Sequence, residues 1–407
     1  MRAIAEKAVA DGLEPLVLAH RRELLKQIAA DLKGVLPADR VQSVFTVARH
    51  LDRLHADLII IDEAHLSQAN SYLKVIEAAG CPVVGLTATP TRLDGQPLSS
   101  YTSIVQGVSA DELIEQGYLA PYDLYAPTLY DVSGIKPAGA DYSASELEGI
   151  VLRSELYGDV IEHYKRLADG KQAIAYCSTT THSLHVARAF CEAGIPAMHI
   201  DANSPNAIRE EALEALRSGS IRVLCNVNLI SEGISIPECS VVLGLRPTQS
   251  RALYIQQACR ALRYAPGKRA TIIDFAGNVH RHGWPTEDYR YELGVPAKAR
   301  KEITDDGDLV VRICSKCFRT YSNTQAACPY CGTVYEPTPR EIKAKQDIHL
   351  QAVKEEEIKA EMARKRAMRR DTHMAKTFED LQAIAQRNGY SKRWCFVQAR
   401  IRNIPLR

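Results

Sequence analysis

No apolar run in this chain approaches the roughly 18–20 residues that a membrane-spanning helix needs. The first residues, Met1 to Leu13, carry no cationic stretch ahead of an apolar core, so they do not read as a secretory signal. Aromatic residues are scarce, at 6% of 407 positions. Long repeats and low-complexity tracts are absent, which argues against solenoids and fibrous arrays. One further absence matters later: no Gly-x-x-x-x-Gly-Lys-Ser/Thr occurs, the loop whose backbone amides cradle nucleotide phosphates. The two Gly-Lys pairs, Gly170-Lys171 and Gly267-Lys268, are followed by Gln172 and Arg269.

Net charge is only +2, but it is uneven. From Thr338 to Arg407 there are 17 Lys+Arg against 9 Asp+Glu, a net of +8 that leaves the remainder at −6. A basic tail on an acidic body suits a phosphate-backbone partner, and it equally suits a solvated charged helix. Seven of the eleven cysteines are scattered, most of them in apolar segments where a free thiol behaves as a small hydrophobe. That usage points to a reducing, cytoplasmic compartment.

Residues 1–130 alternate apolar strands with amphipathic helices, and 151–297 do so again. This order predicts α/β architecture: two parallel-sheet domains joined by a linker at 131–150. Ligands of such sheets bind at the carboxyl ends of strands. Past Pro296 the pattern changes to a cysteine-bearing module (308–336), a charged helix (338–375) and a small basic unit (376–407). In that last unit Tyr390, Trp394 and Phe396 stand among Lys392, Arg393, Arg400 and Arg402. They could stack bases, but a small helical cap with its own aromatic core is the preferred reading.

Four segments carry chemistry. Leu58-Ile59-Ile60-Ile61 ends in Asp62-Glu63-Ala64-His65. In a nucleotide site the first carboxylate can hold Mg²⁺ and the second can orient or deprotonate the attacking water. His65 could relay nucleotide state to neighbouring polar groups. A second apolar strand ends in Thr87-Ala88-Thr89-Pro90, whose hydroxyls suit a coupling role. Arg260 and Arg263 lie three apart and are expected on one helix face, able to reach a γ-phosphate across a cleft. In Asn226 to Pro237, Gly233 permits close backbone approach, and Ser231 or Glu232 could contact nucleic acid or nucleotide. Independently, Cys314-x-x-Cys317 and Cys328-x-x-Cys331 present four thiolates on two knuckles, the donor set of a tetrahedral Zn²⁺ ribbon. Arg312, Lys316 and Arg319 flank it and would suit a nucleic-acid contact, although a protein-docking or purely structural staple fits too.

Taken in order, these segments resemble a superfamily-2 DEAD/DEAH-box helicase of the type III restriction-subunit kind, over residues 14–275. The resemblance implies two RecA-like domains, ATP and Mg²⁺ in the cleft between them, and single-stranded nucleic acid across both, DNA in preference to RNA. Asp62, Glu63, His65, Arg260 and Arg263 match the hydrolytic motifs, and Thr87, Thr89 and Gln256 the coupling ones. His20, Arg21, Ser43, Thr46, Ser178, Glu232 and Gly233 match the nucleic-acid-contacting ones. The sequence departs from the family at Cys259, often Gly, and at Ser235, often Asp. Met1 to Gly12 resembles the tail of the helix that follows the phosphate-cradling loop, so the first domain reads as N-terminally truncated by one strand. A loop-bearing upstream fragment, an earlier start or an interrupted gene would each supply it. A non-hydrolysing nucleic-acid-binding remnant and one half of a split helicase are the alternative functions.

Overall fold

In the computed structural model the described residues are 1–90, 98–127, 132, 135, 137–138, 141–152, 154–230, 236–287, 291, 293, 311–335, 371, 375, 377–388, 395–396, 398–399 and 404. Residues 1–304 with 309–335 form one compact unit, and 305–308 with 336–407 a second.

The first lobe runs α1 (Arg2–Ala10), β1 (Pro15–Ala19), α2 (Arg22–Asp31), β2 (Val41–Ser43), α3 (Val44–Val47), β3 (Leu58–Asp62), α4 (Asn70–Ala79), β4 (Val83–Leu86) and α5 (Ala110–Glu115). Its four strands are all parallel, in the order β2-β1-β3-β4. The period of two in the strands sorts side chains into two cores. Val17, Ala19, Leu58 and Ile60 meet α1 and α2 through Ala5, Ala8, Leu24 and Ile28. Leu16, Leu18, Ile59 and Ile61 meet Val44, Val47, Tyr72 and Val75 on the opposite face. Burial on both faces explains why β1 and β3 read as continuous apolar runs. The edge strand β4 is instead half-buried along its whole length.

The second lobe runs β5 (Tyr122–Tyr125), β6 (Pro137–Ala138), β7 (Asp141–Tyr142), α6 (Ala144–Val151), α7 (Ser154–Ala168), β8 (Ala173–Tyr176), α8 (Thr180–Glu192), β9 (Ala197–Ile200), α9 (Asn206–Ser218), β10 (Val223–Asn226), β11 (Val241–Gly244), α10 (Arg251–Ala258), β12 (Ala270–Asp274) and α11 (Asn278–His282). Six strands form a parallel sheet in the order β5-β12-β11-β8-β10-β9. Ile174, Tyr176, Leu224, Val242 and Ile272 pack on one face, and Ala173, Ala175, Val223, Cys225 and Leu243 on the other.

Two boundaries differ from the sequence reading. The strand Tyr122–Tyr125, placed with 1–130, pairs with β12 and belongs to the second sheet. The expected linker at 131–150 contains the β6–β7 hairpin and most of α6. Asp141 fastens that hairpin to the second lobe by accepting from Arg246 Nη2 at 3.0 Å, Thr248 Oγ1 at 3.0 Å and the Gln249 amide at 2.8 Å. A carboxylate that meets three donors on one loop leaves no trace in local composition.

The cysteine module supplies the hairpin β13 (Val311–Ile313) and β14 (Thr320–Ser322). It closes the β5 edge: the Ala126 amide donates to Phe318 O at 3.0 Å, and Thr320 Oγ1 donates to Leu124 O at 3.1 Å. Arg319 hydrogen-bonds Tyr125 OH at 3.0 Å, pairs with Asp123 at 3.3 Å, and stacks its guanidinium on Tyr330. Arg312 lies over the Tyr335 ring and donates to Gln325 O. Two of the three cations proposed for nucleic acid are therefore engaged inside the fold. In the second unit, α12 (Phe378–Asn388) packs Leu381 and Ala385 on Cys395 and Ala399, with Phe378 against Phe396. The expected charged helix, apart from Asp371 and Ala375, lies outside the described residues, as do Tyr390 and Trp394. No helix among the described residues is long and apolar enough to cross a membrane.

Candidate nucleotide site and metal centre

β3 carries Asp62 at its carboxyl end, and the chain then turns sharply. Glu63 takes a left-handed backbone (φ 51°, ψ 52°), and a 3-10 turn over Ala64–Leu66 buries His65. Gly85, opposite Ile61 in β4, allows this packing. A Cβ there would stand 2.7 Å from Ala64 Cβ and 2.5 Å from Tyr101 OH. Burial lifts the Asp62 carboxyl above the ordinary carboxylate range, opposed by the Glu63 amide and by His20 and His65. An attracting cation is what such a half-buried carboxylate suits.

A hydrogen-bonded line leaves this turn. His65 Nδ1 lies 3.4 Å from Glu63 Oε2 and 3.2 Å from Thr87 Oγ1. Thr87 Oγ1 donates to Thr89 O and accepts from the Thr89 amide, both at 3.1 Å, the local turn that Thr favours. Because its single proton goes to Thr89 O, Thr87 must accept from His65, so Nδ1 carries the hydrogen. Thr89 is fully buried, and its hydroxyl accepts from Gln256 Nε2 of α10 at 3.2 Å. Five residues thus link the acidic turn to the second lobe. Arg21 makes another link, donating to Leu229 O at 2.9 Å and to His20 Nε2 at 3.1 Å.

Arg260 and Arg263 do not share an α-helical face. The α-helix ends at Ala258, Cys259–Leu262 tighten to 3-10, and Arg263 leaves in an extended conformation (ψ 131°). The cause is pairing with the segment before β5: the Ala120 amide donates to Leu262 O at 2.8 Å, and Leu119 bridges Arg263. The two arginines remain neighbours. Burial and Arg260 push the Arg263 guanidinium below its usual range, and Glu63 of the first lobe opposes that. Glu63 of the first lobe therefore lies within electrostatic reach of Arg263 of the second.

The expected nucleic-acid residues are spread over both lobes. His20 is within electrostatic reach of Asp62. Ser43 precedes α3, and Thr46 is exposed on it. Ser178 follows β8, its amide donating to His182 Nδ1 at 3.3 Å, while its buried hydroxyl has no hydrogen-bond partner among the described residues. Glu232 and Gly233 lie outside the described residues. Sequence reasoning missed the Arg21–Leu229 link and the need for Gly85. A glycine inside an apolar strand beside the acidic turn was the available signal for the second.

Cys314, Cys317, Cys328 and Cys331 converge, their sulfurs all within 4.8 Å of one another. The Cys314–Cys331 and Cys317–Cys328 separations are 3.4 and 3.7 Å. A tetrahedron with Zn–S of about 2.3 Å has sulfur edges of about 3.8 Å, so zinc fits. The Lys316 and Cys317 amides donate to Cys314 Sγ at 3.4 and 3.5 Å. Bonds from Thr333 bring the Cys331 thiol down to about 6.

Comparison with known proteins agrees with this layout. The family model "Helicase conserved C-terminal domain" matches residues 155–265, and "Type III restriction enzyme, res subunit" matches 41–92. A "51.5 kDa protein" of Lactococcus phage (isolate 7-9) is 34% identical over 398 residues, covering 95% of this chain and 86% of that protein. "Putative ATP-dependent helicase IRC3" of Saccharomyces cerevisiae is 29% identical over 300 residues, 65% of this chain and 44% of the yeast protein. The chain thus spans under half of that longer relative. Among solved structures, a fragment of an HsdR subunit of a type I restriction enzyme from Vibrio vulnificus YJ016, itself titled putative, is 20% identical. It covers 59% of this chain and 48% of that one, with a TM-score of 0.45.

Proposed function

The chain belongs to the superfamily-2 helicases of the type III restriction-subunit kind, and from that premise we propose an ATP-dependent translocase on nucleic acid, DNA in preference to RNA. ATP hydrolysis in the cleft between the lobes would drive it. Asp62 would hold Mg²⁺, which when bound would supply positive charge to neutralise the phosphates. Glu63 orients and deprotonates the attacking water, and Arg260 and Arg263 stabilise charge on the transferred phosphoryl group. His65, Thr87, Thr89 and Gln256 couple the occupancy of the cleft to the second lobe. Ser43, Thr46, Ser178, Glu232 and Gly233 contact the strand. The four cysteines bind a structural Zn²⁺.

The observation that carries this reading is the hydrogen-bonded line from His65, beside Glu63, to Gln256. A line of single hydrogen bonds across a cleft is broken or made by small movements of either wall, as a coupling device requires. The phosphate-cradling loop is not in this sequence. The half-buried edge of β4 favours its supply as an added strand, from a loop-bearing partner segment.

The test is nucleic-acid-stimulated ATPase activity, with and without a polypeptide carrying that loop, in wild type and Glu63→Gln. Activity is expected only with the loop supplied, and Glu63→Gln is expected to abolish it. Full turnover by Glu63→Gln overturns the assignment of the water-activating base. Normal turnover by this chain alone overturns the need for a partner.

A further inference from the structure

Beside the β2 edge of the first sheet lies a cavity of about 210 Å³. Thr46, His50, Arg53 and His55 line it above the aliphatic Leu16 and Val47. Backbone hydrogen bonds from Arg49 to Thr46 and from His50 to Val47 continue the turn of α3. Thr46 and His50 both line the cavity, and Phe45 and Arg49 are exposed on the same turn. Phe45 is 47% exposed, an unusual placement for a large apolar side chain in a four-residue helix.

The polar groups here are available. Among the described residues Arg49, His50 and His55 have no side-chain hydrogen bond or ion pair, and Arg53 has only the exposed Asp52 at 3.8 Å. The nearby carboxylates are otherwise engaged: Glu14 pairs with Arg40, and Asp57 accepts from the Glu14 amide. A groove of cations and imidazoles, with one exposed aromatic ring on the adjoining turn, has the make-up of a single-strand track.

We propose that this groove, lined by His50, Arg53 and His55 and flanked by the exposed Phe45 and Arg49, binds the sugar-phosphate backbone of a nucleic-acid strand leaving the Ser43–Thr46 contact, with one base stacked on Phe45. The proposal rests on the nucleic-acid reading above and adds a path to it. The strand turns off the carboxyl-end face of the first sheet and follows the β2 edge toward the amino end of β3. Arg49 and Arg53 meet phosphates, His50 and His55 donate hydrogen bonds, and Arg40, held by Glu14 and the His55 carbonyl, forms the wall.

The experiment measures binding of a fluorescein-labelled single-stranded oligonucleotide to the full chain by anisotropy, across a KCl series. Wild type, Arg49→Gln/Arg53→Gln and Phe45→Ala are compared, each first checked for an unchanged thermal midpoint, as exposed sites predict. Losing two phosphate contacts should reduce the steepness of log K against log[salt] by about 1.4, at roughly 0.7 per contact on a single strand. Phe45→Ala should weaken binding roughly tenfold with the slope unchanged. Unchanged affinity and slope in the double variant, with wild type still binding, overturns the groove and leaves the helicase reading standing. A wild type that binds no oligonucleotide overturns both. Equal competition by inorganic phosphate at matched phosphate concentration overturns the strand as occupant.

Discussion

Replacing Thr87 by Val changes almost no volume and removes one hydroxyl. That hydroxyl satisfies three groups: the Thr89 amide, the Thr89 carbonyl and His65 Nδ1. A neutral hydrogen bond contributes about 1 kcal/mol net, and a donor left unpaired in a dry place costs about 1–3 kcal/mol. Thr89 is fully buried, so water cannot replace the lost partner at its amide. Thr87 is half-buried and His65 keeps Glu63 within 3.4 Å, so the remaining losses are partly relieved. The expected cost is about 2–3 kcal/mol, felt in the first lobe. Hydrogen exchange reads it most directly: the Thr89 amide should exchange roughly 30- to 150-fold faster, the same energy converted at 1.36 kcal/mol per decade. Urea unfolding should shift its midpoint with an unchanged slope. Thr87→Ser keeps the hydroxyl and should cost under about 1 kcal/mol. The reasoning fails if Val leaves Thr89 exchange unchanged, or if Ser is as damaging as Val.

Two further outcomes follow from the second lobe. Wild type should carry one zinc per chain by mass spectrometry, and chelation or Cys328→Ser should speed exchange of the Ala126 amide, which Phe318 O otherwise protects. Unchanged protection after metal loss would mean that the ribbon's seat on β5 is independent of the metal. The pH dependence of stability is set by buried groups that oppose one another. Burial depresses His182 to about 3 and His282 to about 4, so both are neutral in the fold. Their contribution is complete above the unfolded histidine value of about 6.5 and is lost as pH falls. Burial raises Asp274 to about 6, so it takes up its proton in the fold before the unfolded chain does, and its effect runs the other way. Between pH 6 and 4 these three groups give a net uptake of about one proton on unfolding, a loss of about 1.4 kcal/mol per pH unit of acidification. Asp274→Asn should roughly double that slope in pH-resolved denaturation, and a slope that stays the same refutes the assignment.

Much of this molecule was legible because parallel strands buried on both faces write themselves as uninterrupted apolar runs. Leu16 to Ala19, Leu58 to Ile61 and Ala270 to Asp274 could be read directly. The acidic turn and the Cys-x-x-Cys pairs were equally plain, since each is local in sequence. What escaped depends on contacts between distant residues. Tyr122–Tyr125 looks like any edge strand, and only its partner β12 assigns it to a sheet. Arg263 keeps helical spacing in the sequence, yet the carbonyl before it is taken by Ala120, and the helix yields. Arg319 looked like a free cation beside a metal knuckle, while Asp123 and Tyr125, nearly two hundred residues earlier, had already claimed it.

The left-handed backbone at Glu63 has a consequence for how such a protein can change. Every residue but glycine occupies that conformation at a cost of roughly 1 kcal/mol or more. Glycine at position 63 would relieve that strain, at the entropic cost glycine carries in the unfolded chain, while deleting the carboxylate. Relief of backbone strain and retention of the acid pull in opposite directions at this one position. Under the proposed function, turnover would hold Glu63 in place against that pull.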